Sequence, residues 1–348
     1  MSKKTYIAER SGFARPTADR HVQRHPNVLH SPDMKISEAL EVFVQAKRAE
    51  GCRERTVGEY YRHISYIIDY LGEDILLDNL TPDMIRSYIS YLLSERKAYE
   101  GDNKRQKDKK GLSPNTINIR LRTLKTMCRF WYQEGYMLNN PMSTIKLVKS
   151  NHVPEVQGLT DEQVRSVLNY YDERMYSEWR DKTLVYLLLD TGLRIQEAVS
   201  LTIGQIEVRQ NLLVIPSEIA KNRKYRDVPV SREIVKQLLE LYQESRRYFG
   251  NIDRIFMNSY GEPLKADTFR RRLNRLKKKI GMDTLHPHQF RHTFARDYLL
   301  NGGDLFTLQR ILDHADIKTT RKYIQMDTEH IQTQHLKHSP VRKYIRRR

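Results

Sequence analysis

Three short segments in the second half of the chain gather polar side chains where an apolar pattern would otherwise continue. The first, Thr191-Gly192-Leu193-Arg194-Ile195-Gln196-Glu197-Ala198, sets Arg194 directly after an apolar run and a glycine turn. Taken alone, Arg194 reads first as a helix-stabilising side chain near an N-cap. The functional reading is a guanidinium fork offered to a phosphate. Glu197, three residues on, shares the same helical face and reads as an orienting partner rather than a catalyst. The second segment, His286-Pro287-His288-Gln289-Phe290-Arg291-His292-Thr293, places His288 and Arg291 at i and i+3 on one helical face, with Phe290 and Phe294 toward the core. Its clustered histidines also suggest a metal site. No Cys or carboxylate pattern completes a ligand set, however, and the His-x-x-Arg spacing puts a cation where a ligand is needed, so no metal is expected. The third segment runs Leu312-Asp313-His314-Ala315-Asp316-Ile317-Lys318-Thr319-Thr320-Arg321-Lys322-Tyr323-Ile324. A polar turn begins at Ala315-Asp316, and Thr319-Thr320 are suited to cap a short helix carrying Tyr323. The chain holds 21 tyrosines, so Tyr323 on its own reads as a core or groove aromatic.

The surrounding pattern predicts a mainly α protein in two parts. After Ser31-Pro32-Asp33, Ile36, Leu40, Phe43 and Val44 recur at helical spacing. A second amphipathic run spans Thr56 to Leu71 and stops at Gly72. A third opens at Thr81-Pro82-Asp83 and a fourth at Ser113-Pro114-Asn115, each with Pro in the first turn. Between them, residues 97–111 are charged and read as an exposed loop. The first 34 residues are basic and read as a flexible arm; residues 35–141 form a helical bundle. Residues 142–157 lack clear periodicity and look like a linker. The second part, 158–330, is expected to be a mixed α/β domain, mostly helical with a small antiparallel sheet. Its strands are NLLVIPS and YRDVPVS, with EIAKNRK as a basic hairpin tip. Residues 331–348 form a tail.

At 348 residues, the chain is long for one domain and ample for two. Lys and Arg number 61 against 43 Asp and Glu, a formal charge of +18. Such a surplus suggests a polyanion as partner, nucleic acid before a membrane surface, because neutralised phosphates release counterions. No run of 18 apolar residues is present, and the mean hydropathy of −0.70 agrees with a soluble protein that has no membrane partner. Cys52 and Cys128 are isolated in sequence and read as reduced thiols of a cytosolic protein.

Read together, TGLR, HQFRHTFA and LDHADIKTTRKYI resemble the tyrosine recombinase (phage integrase) family, in order and at appropriate separations. The resemblance covers about 155–330 and extends more weakly to the first half, which looks like that family's core-binding domain. By matching position it implies a first catalytic arginine, Arg194, and a His-x-x-Arg pair, His288 and Arg291. It further implies a second histidine, His314, and a nucleophile, Tyr323. Lys221 aligns with the family's mobile hairpin lysine, with Lys224 as a nearby competitor. Asp313 stands where the family usually has Gly.

The resemblance implies double-stranded DNA as substrate, a 3′-phosphotyrosine intermediate, no cofactor, and a homotetramer on two DNA sites, with an accessory DNA-bending or directionality protein as a possible partner. His288 is the expected base for the phenol proton, His314 the expected donor to a phosphoryl oxygen, and Lys221 the expected acid for the leaving oxygen. The first domain would clamp the duplex through Arg55, Arg62, Asn115, Asn118, Arg122 and Lys125, positions that equally suit solvated helix faces. A helix near His330–Leu336 would dock on a neighbouring subunit. Integration, excision or transposition of a mobile element is the first reading, motivated by the N-terminal extension and the 97–111 insertion. Resolution of chromosome or plasmid dimers, a type IB topoisomerase-like relaxase and an inactive DNA-binding regulator are the alternatives.

Overall fold

Helix boundaries in the first unit follow local side-chain chemistry. In the computed structural model, which describes residues 33–97, 110–149, 158–220, 222–323, 332, 335–337 and 339–344, the chain divides into two units, Met1–Val153 and Pro154–Arg348. Unit 1 holds α1 (Ile36–Ala49), α2 (Glu54–Leu71), α3 (Pro82–Ser94) and α4 (Pro114–Gln133). Thr81 and Ser113 each accept a backbone N–H from the first turn of the helix they precede, and Pro occupies the first helical position of both. Gly72 ends α2 at φ 78°. The buried stripes meet around Phe43, Ile64, Leu92, Leu121 and Trp131, whose indole N–H donates to the Ala39 carbonyl at 2.8 Å.

Two expectations change here. Residues 142–149 are not a free linker: Met142 and Ile145 are buried in the unit 1 core. Asn118 is not a phosphate contact. It is buried, and its amide donates to the Val148 carbonyl and accepts from the Val148 N–H, both at 2.9 Å. Burial and the paired bonds to Val148 hold the amide inside the unit, away from the solvent-facing side of α4. Arg55, Arg62, Asn115, Arg122 and Lys125 are exposed, with Arg62 also paired to Glu59.

Unit 2 contains α5 (Asp161–Tyr170), α6 (Tyr176–Thr191), α7 (Ile195–Val199), β1 (Ile206–Glu207), β2 (Leu212–Ile215), β3 (Arg226–Pro229), α8 (Arg232–Phe249), α9 (Ala266–Lys279), α10 (Pro287–Leu300), α11 (Leu305–Leu312) and α12 (Ile317–Arg321). The strands form one antiparallel sheet in the order β1-β2-β3. β2 and β3 are the two runs expected; the two-residue β1 is too short to show a period-2 pattern. Helix α6 is buried on most sides and packs on α8 and α10, while α11 contacts α10, α12 and β3. The core joins Leu184, Leu188, Leu213, Val228, Leu238, Phe269 and Phe290.

The short helix α12 is capped by Asp316, which accepts from Lys318 N–H, and not by Thr319 or Thr320. Tyr323 follows the helix in a turn, its N–H donating to the Thr320 carbonyl. No helix among the described residues is long and apolar enough to cross a membrane. The arm through Pro32, most of the 97–111 loop, Lys221, and the docking segment at 330, 331, 333 and 334 lie outside the described residues.

Candidate active site

The site assembles on the end of α11. Gly192 ends α6 with φ 63°, and a Cβ there would come within 2.4 Å of the Phe294 ring. Only glycine supplies both the turn and the space, which explains the second residue of TGLR. The turn delivers Arg194 to the start of α7. Its Nη2 donates to the Asp313 carbonyl at 3.0 Å, and its Nη1 lies 3.1 Å from both Glu197 Oε1 and Asp313 Oδ2. Glu197 is 1% exposed, accepts the Arg194 N–H, and also binds Arg226 Nη2 at 2.7 Å. The guanidinium groups hold its carboxyl below the usual range although burial pushes upward as the largest single influence. Glu197 is therefore the orienting carboxylate expected, shared between two arginines.

Helix α10 supplies the second fork. Arg291 is 4% exposed. It donates to the Gly192 carbonyl at 2.8 Å, to the Leu312 carbonyl at 2.6 Å and to His314 Nε2 at 3.0 Å. Burial and the nearby Arg194 lower its pKa to about 10, which leaves it a cation at neutral pH. Arg194 and Arg291 thus anchor on consecutive carbonyls, those of Asp313 and Leu312.

An arginine only donates, so His314 Nε2 is the acceptor of that bond and Nδ1 carries the ring proton toward Thr320 Oγ1 at 2.9 Å. Burial, then Arg291, push the His314 pKa down to about 4, consistent with a neutral ring. Both ring nitrogens are engaged, so in this arrangement His314 accepts from Arg291 and is not free to donate to a phosphoryl oxygen. Tyr323 lies beside it with ring centroids 6.3 Å apart and planes 12° from parallel.

The phenol does not meet His288. Its oxygen lies 2.8 Å from His292 Nδ1, one helical turn further along α10. His288 is exposed, its ring 6.3 Å from that of His292. Burial, then the neighbouring His288, lower the His292 pKa to about 4, while burial raises that of Tyr323. The pair is a neutral imidazole against a protonated phenol.

The structure therefore brings Arg194, Arg291, His314 and Tyr323 together, places His288 at the edge, and leaves Lys221 outside the described residues. Lys224 is exposed and lines a cavity of about 300 Å³ with Tyr225, Arg226, Asp227, Gln309, Arg310, Asp313 and His314. A larger cavity of about 430 Å³, lined in part by Asp161, Arg165, Asp190, Phe294 and Tyr298, contains none of these catalytic candidates.

Three contributors escaped the sequence reading. His292 was findable, since i, i+3 and i+4 place His288, Arg291 and His292 on one helical face. Arg226 occupies an inward position of β3, alternating with Val228, and an inward charge signals a buried partner. Thr320 carries no signal beyond its neighbours. Asp313 sits at φ 53°, ψ 52°, the left-handed conformation a glycine adopts freely. A side chain there costs on the order of 1 kcal/mol, least for Asn and Asp.

The profile of the phage integrase family matches residues 157–330, and that of the phage integrase SAM-like domain matches 36–147. Tyrosine recombinase XerA of Saccharolobus solfataricus is 30% identical over 89% of this chain and 95% of its own length. Tyrosine recombinase XerD of Vibrio cholerae is 26% identical over 89% and 98%. Among solved structures, the Tn1549 transposon integrase in complex with a circular intermediate DNA aligns over 86% of this chain and 99% of its own, with TM-score 0.68 and 19% identity. XerH recombinase bound to a palindromic difH substrate aligns over 85% and 82%, with TM-score 0.64 and 20% identity. The chain belongs to the phage integrase family: it is a tyrosine recombinase, a DNA strand-transferring enzyme.

Proposed function

We propose that this enzyme breaks and rejoins double-stranded DNA at specific sites through a 3′-phosphotyrosine formed on Tyr323. The observation that carries this reading is the convergence of two guanidinium groups and a phenol on the Leu312–His314 turn. Arg194 and Arg291 neutralise the non-bridging oxygens as negative charge builds in the transition state. The phenol oxygen attacks phosphorus, the bond to the 5′-oxygen breaks, and the strand stays attached to the protein. The phosphodiester energy is conserved in the new ester, so the reverse attack by a 5′-hydroxyl reseals a strand without ATP.

His292 replaces His288 as acceptor of the phenol proton, because it already lies at hydrogen-bond distance and is neutral. The leaving 5′-oxygen takes a proton from the hairpin, from Lys221 or, in its place, Lys224. Exchange between two duplexes requires four subunits on two sites. That requirement supports a homotetramer on two DNA sites; an accessory DNA-bending or directionality protein is a further partner suggested by the family resemblance alone. The exposed Arg55, Arg62, Asn115, Arg122 and Lys125 of unit 1 supply phosphate contacts. Movement of a mobile element is the first biological reading, and the transposon integrase among the structural neighbours supports it. Dimer resolution is the second, favoured by the Xer recombinases among the sequence relatives.

The test is to incubate the protein with DNA from the flanks of its gene and map covalent junctions. The expected product is a Tyr323 peptide joined to a 3′-phosphate. Paired junctions at the ends of an element would establish the first role; a single chromosomal site would establish the second. No adduct, or a 5′-linked one, rejects the proposed chemistry.

His292 sets a pH prediction. A pKa lowered to about 4 keeps the acceptor deprotonated at neutral pH, so single-turnover cleavage holds as pH drops through 6.5 and falls only as it approaches 4. His292→Phe is expected to slow cleavage roughly 100- to 1,000-fold, with His288→Ala losing much less. The reverse order would return the acceptor role to His288.

A further inference from the structure

Asp313 is one of three described non-glycine residues with positive φ, and it lies inside the site. Its carbonyl accepts from Arg194 Nη2 and from Asn222 Nδ2, bonds that a glycine would make equally well. What the side chain adds is a carboxylate 3.1 Å from Arg194 Nη1 and 3.8 Å from Arg226 Nη1. Glu197 already holds both arginines, so anchoring does not require a second anion. Arg194, Arg226, Glu197 and Asp313 carry two positive and two negative charges. Arg291, by contrast, bonds two carbonyls and an imidazole and no carboxylate among the described residues. The hydrogens of Arg194 Nη1 are directed to Glu197 and Asp313, so a phosphate oxygen can bind that nitrogen only by displacing one of the two carboxylates.

We propose that Asp313 is a built-in counter-anion that occupies Arg194 until the scissile phosphate displaces it. It is a positioning residue acting through Arg194, and the assignment rests on the recombinase reading above. Its consequence is discrimination. An isolated phosphate or free anion must compete with a tethered carboxylate, whereas a duplex held by many other contacts can displace it.

The test needs neither the DNA site nor cleavage. Orthophosphate is titrated calorimetrically into the DNA-free full-length protein at low salt, for wild type, Asp313→Asn, Asp313→Gly, Arg194→Ala and the Arg194→Ala/Asp313→Asn double variant. Asn keeps the shape and tolerates the left-handed backbone; Gly is the second variant should the Asn protein fail to fold, as judged by circular dichroism. Removing the charge is expected to tighten phosphate binding roughly tenfold. The gain shrinks as salt rises and vanishes in the Arg194→Ala background. Unchanged or weaker binding overturns the proposal. So does a gain that survives Arg194→Ala, which would reflect the general field of a basic protein. Absence of a covalent DNA adduct would reject the recombinase chemistry while leaving this measurement interpretable.

Discussion

Tyr323→Phe is expected to abolish the covalent protein–DNA adduct, a loss of at least about 10⁴-fold in cleavage, while leaving the fold and DNA affinity nearly intact. The substitution removes one oxygen and keeps the ring that lies against His314. Among the described residues, the hydrogen bond given up is the one to His292, worth about 1 kcal/mol or less at a half-buried position. Denaturing gels of protein incubated with its flanking DNA provide the cleavage measurement, and mobility shifts the affinity. A residual adduct at another tyrosine would remove Tyr323 from its role. The phenol sits against the His292 and His314 of its own chain, which leads to a second expected result. Mixing Tyr323→Phe with an Arg291 variant should restore no adduct, the result expected when each subunit uses its own tyrosine; restored cleavage would show exchange of the tyrosine between subunits.

Arg291→Ala should damage stability and chemistry together. The side chain is almost fully buried and donates to two carbonyls and an imidazole. Deleting it leaves the Gly192 and Leu312 carbonyls without this donor, a cost of about 2–4 kcal/mol measured by denaturant unfolding. Cleavage should fall on the order of 10³-fold or more, from loss of one of two cations at the scissile phosphate. Arg291→Lys separates the effects. One ammonium restores the charge but cannot reach three acceptors in the planar geometry of a guanidinium, so it should recover part of the stability and little of the rate. A lysine variant with near-normal cleavage would show that charge alone suffices, and the fork geometry would lose its role.

Much of this was legible in the amino-acid order because it rests on local rules. Helix starts at Thr81-Pro82 and Ser113-Pro114 and stops at Gly72 and Gly192 follow from capping and backbone conformation. The grouping of Arg194, Arg291, His314 and Tyr323 was implied by the resemblance of three motifs to the tyrosine recombinase family, and Glu197 was recognisable as the partner of Arg194 from its spacing. Sequence spacing along one helix is a distance, so such pairs can be read directly.

What only the tertiary structure decided were contacts between elements. That the tyrosine would meet His292 and not His288 depends on where the turn after α12 lies against α10. The same holds for Thr320 beneath His314 and Arg226 beneath Glu197, and for the Asp313 carboxylate, which lies on Arg194, a residue 119 positions away in the chain. Asn118 looked like a solvated polar residue and proved to be buried, because the 142–149 segment folds back onto α4. The physical reason is common to all of them. Hydrogen bonds and ion pairs act over about 3 Å, and which distant side chains come that close is set by how the helices pack, which no local pattern encodes.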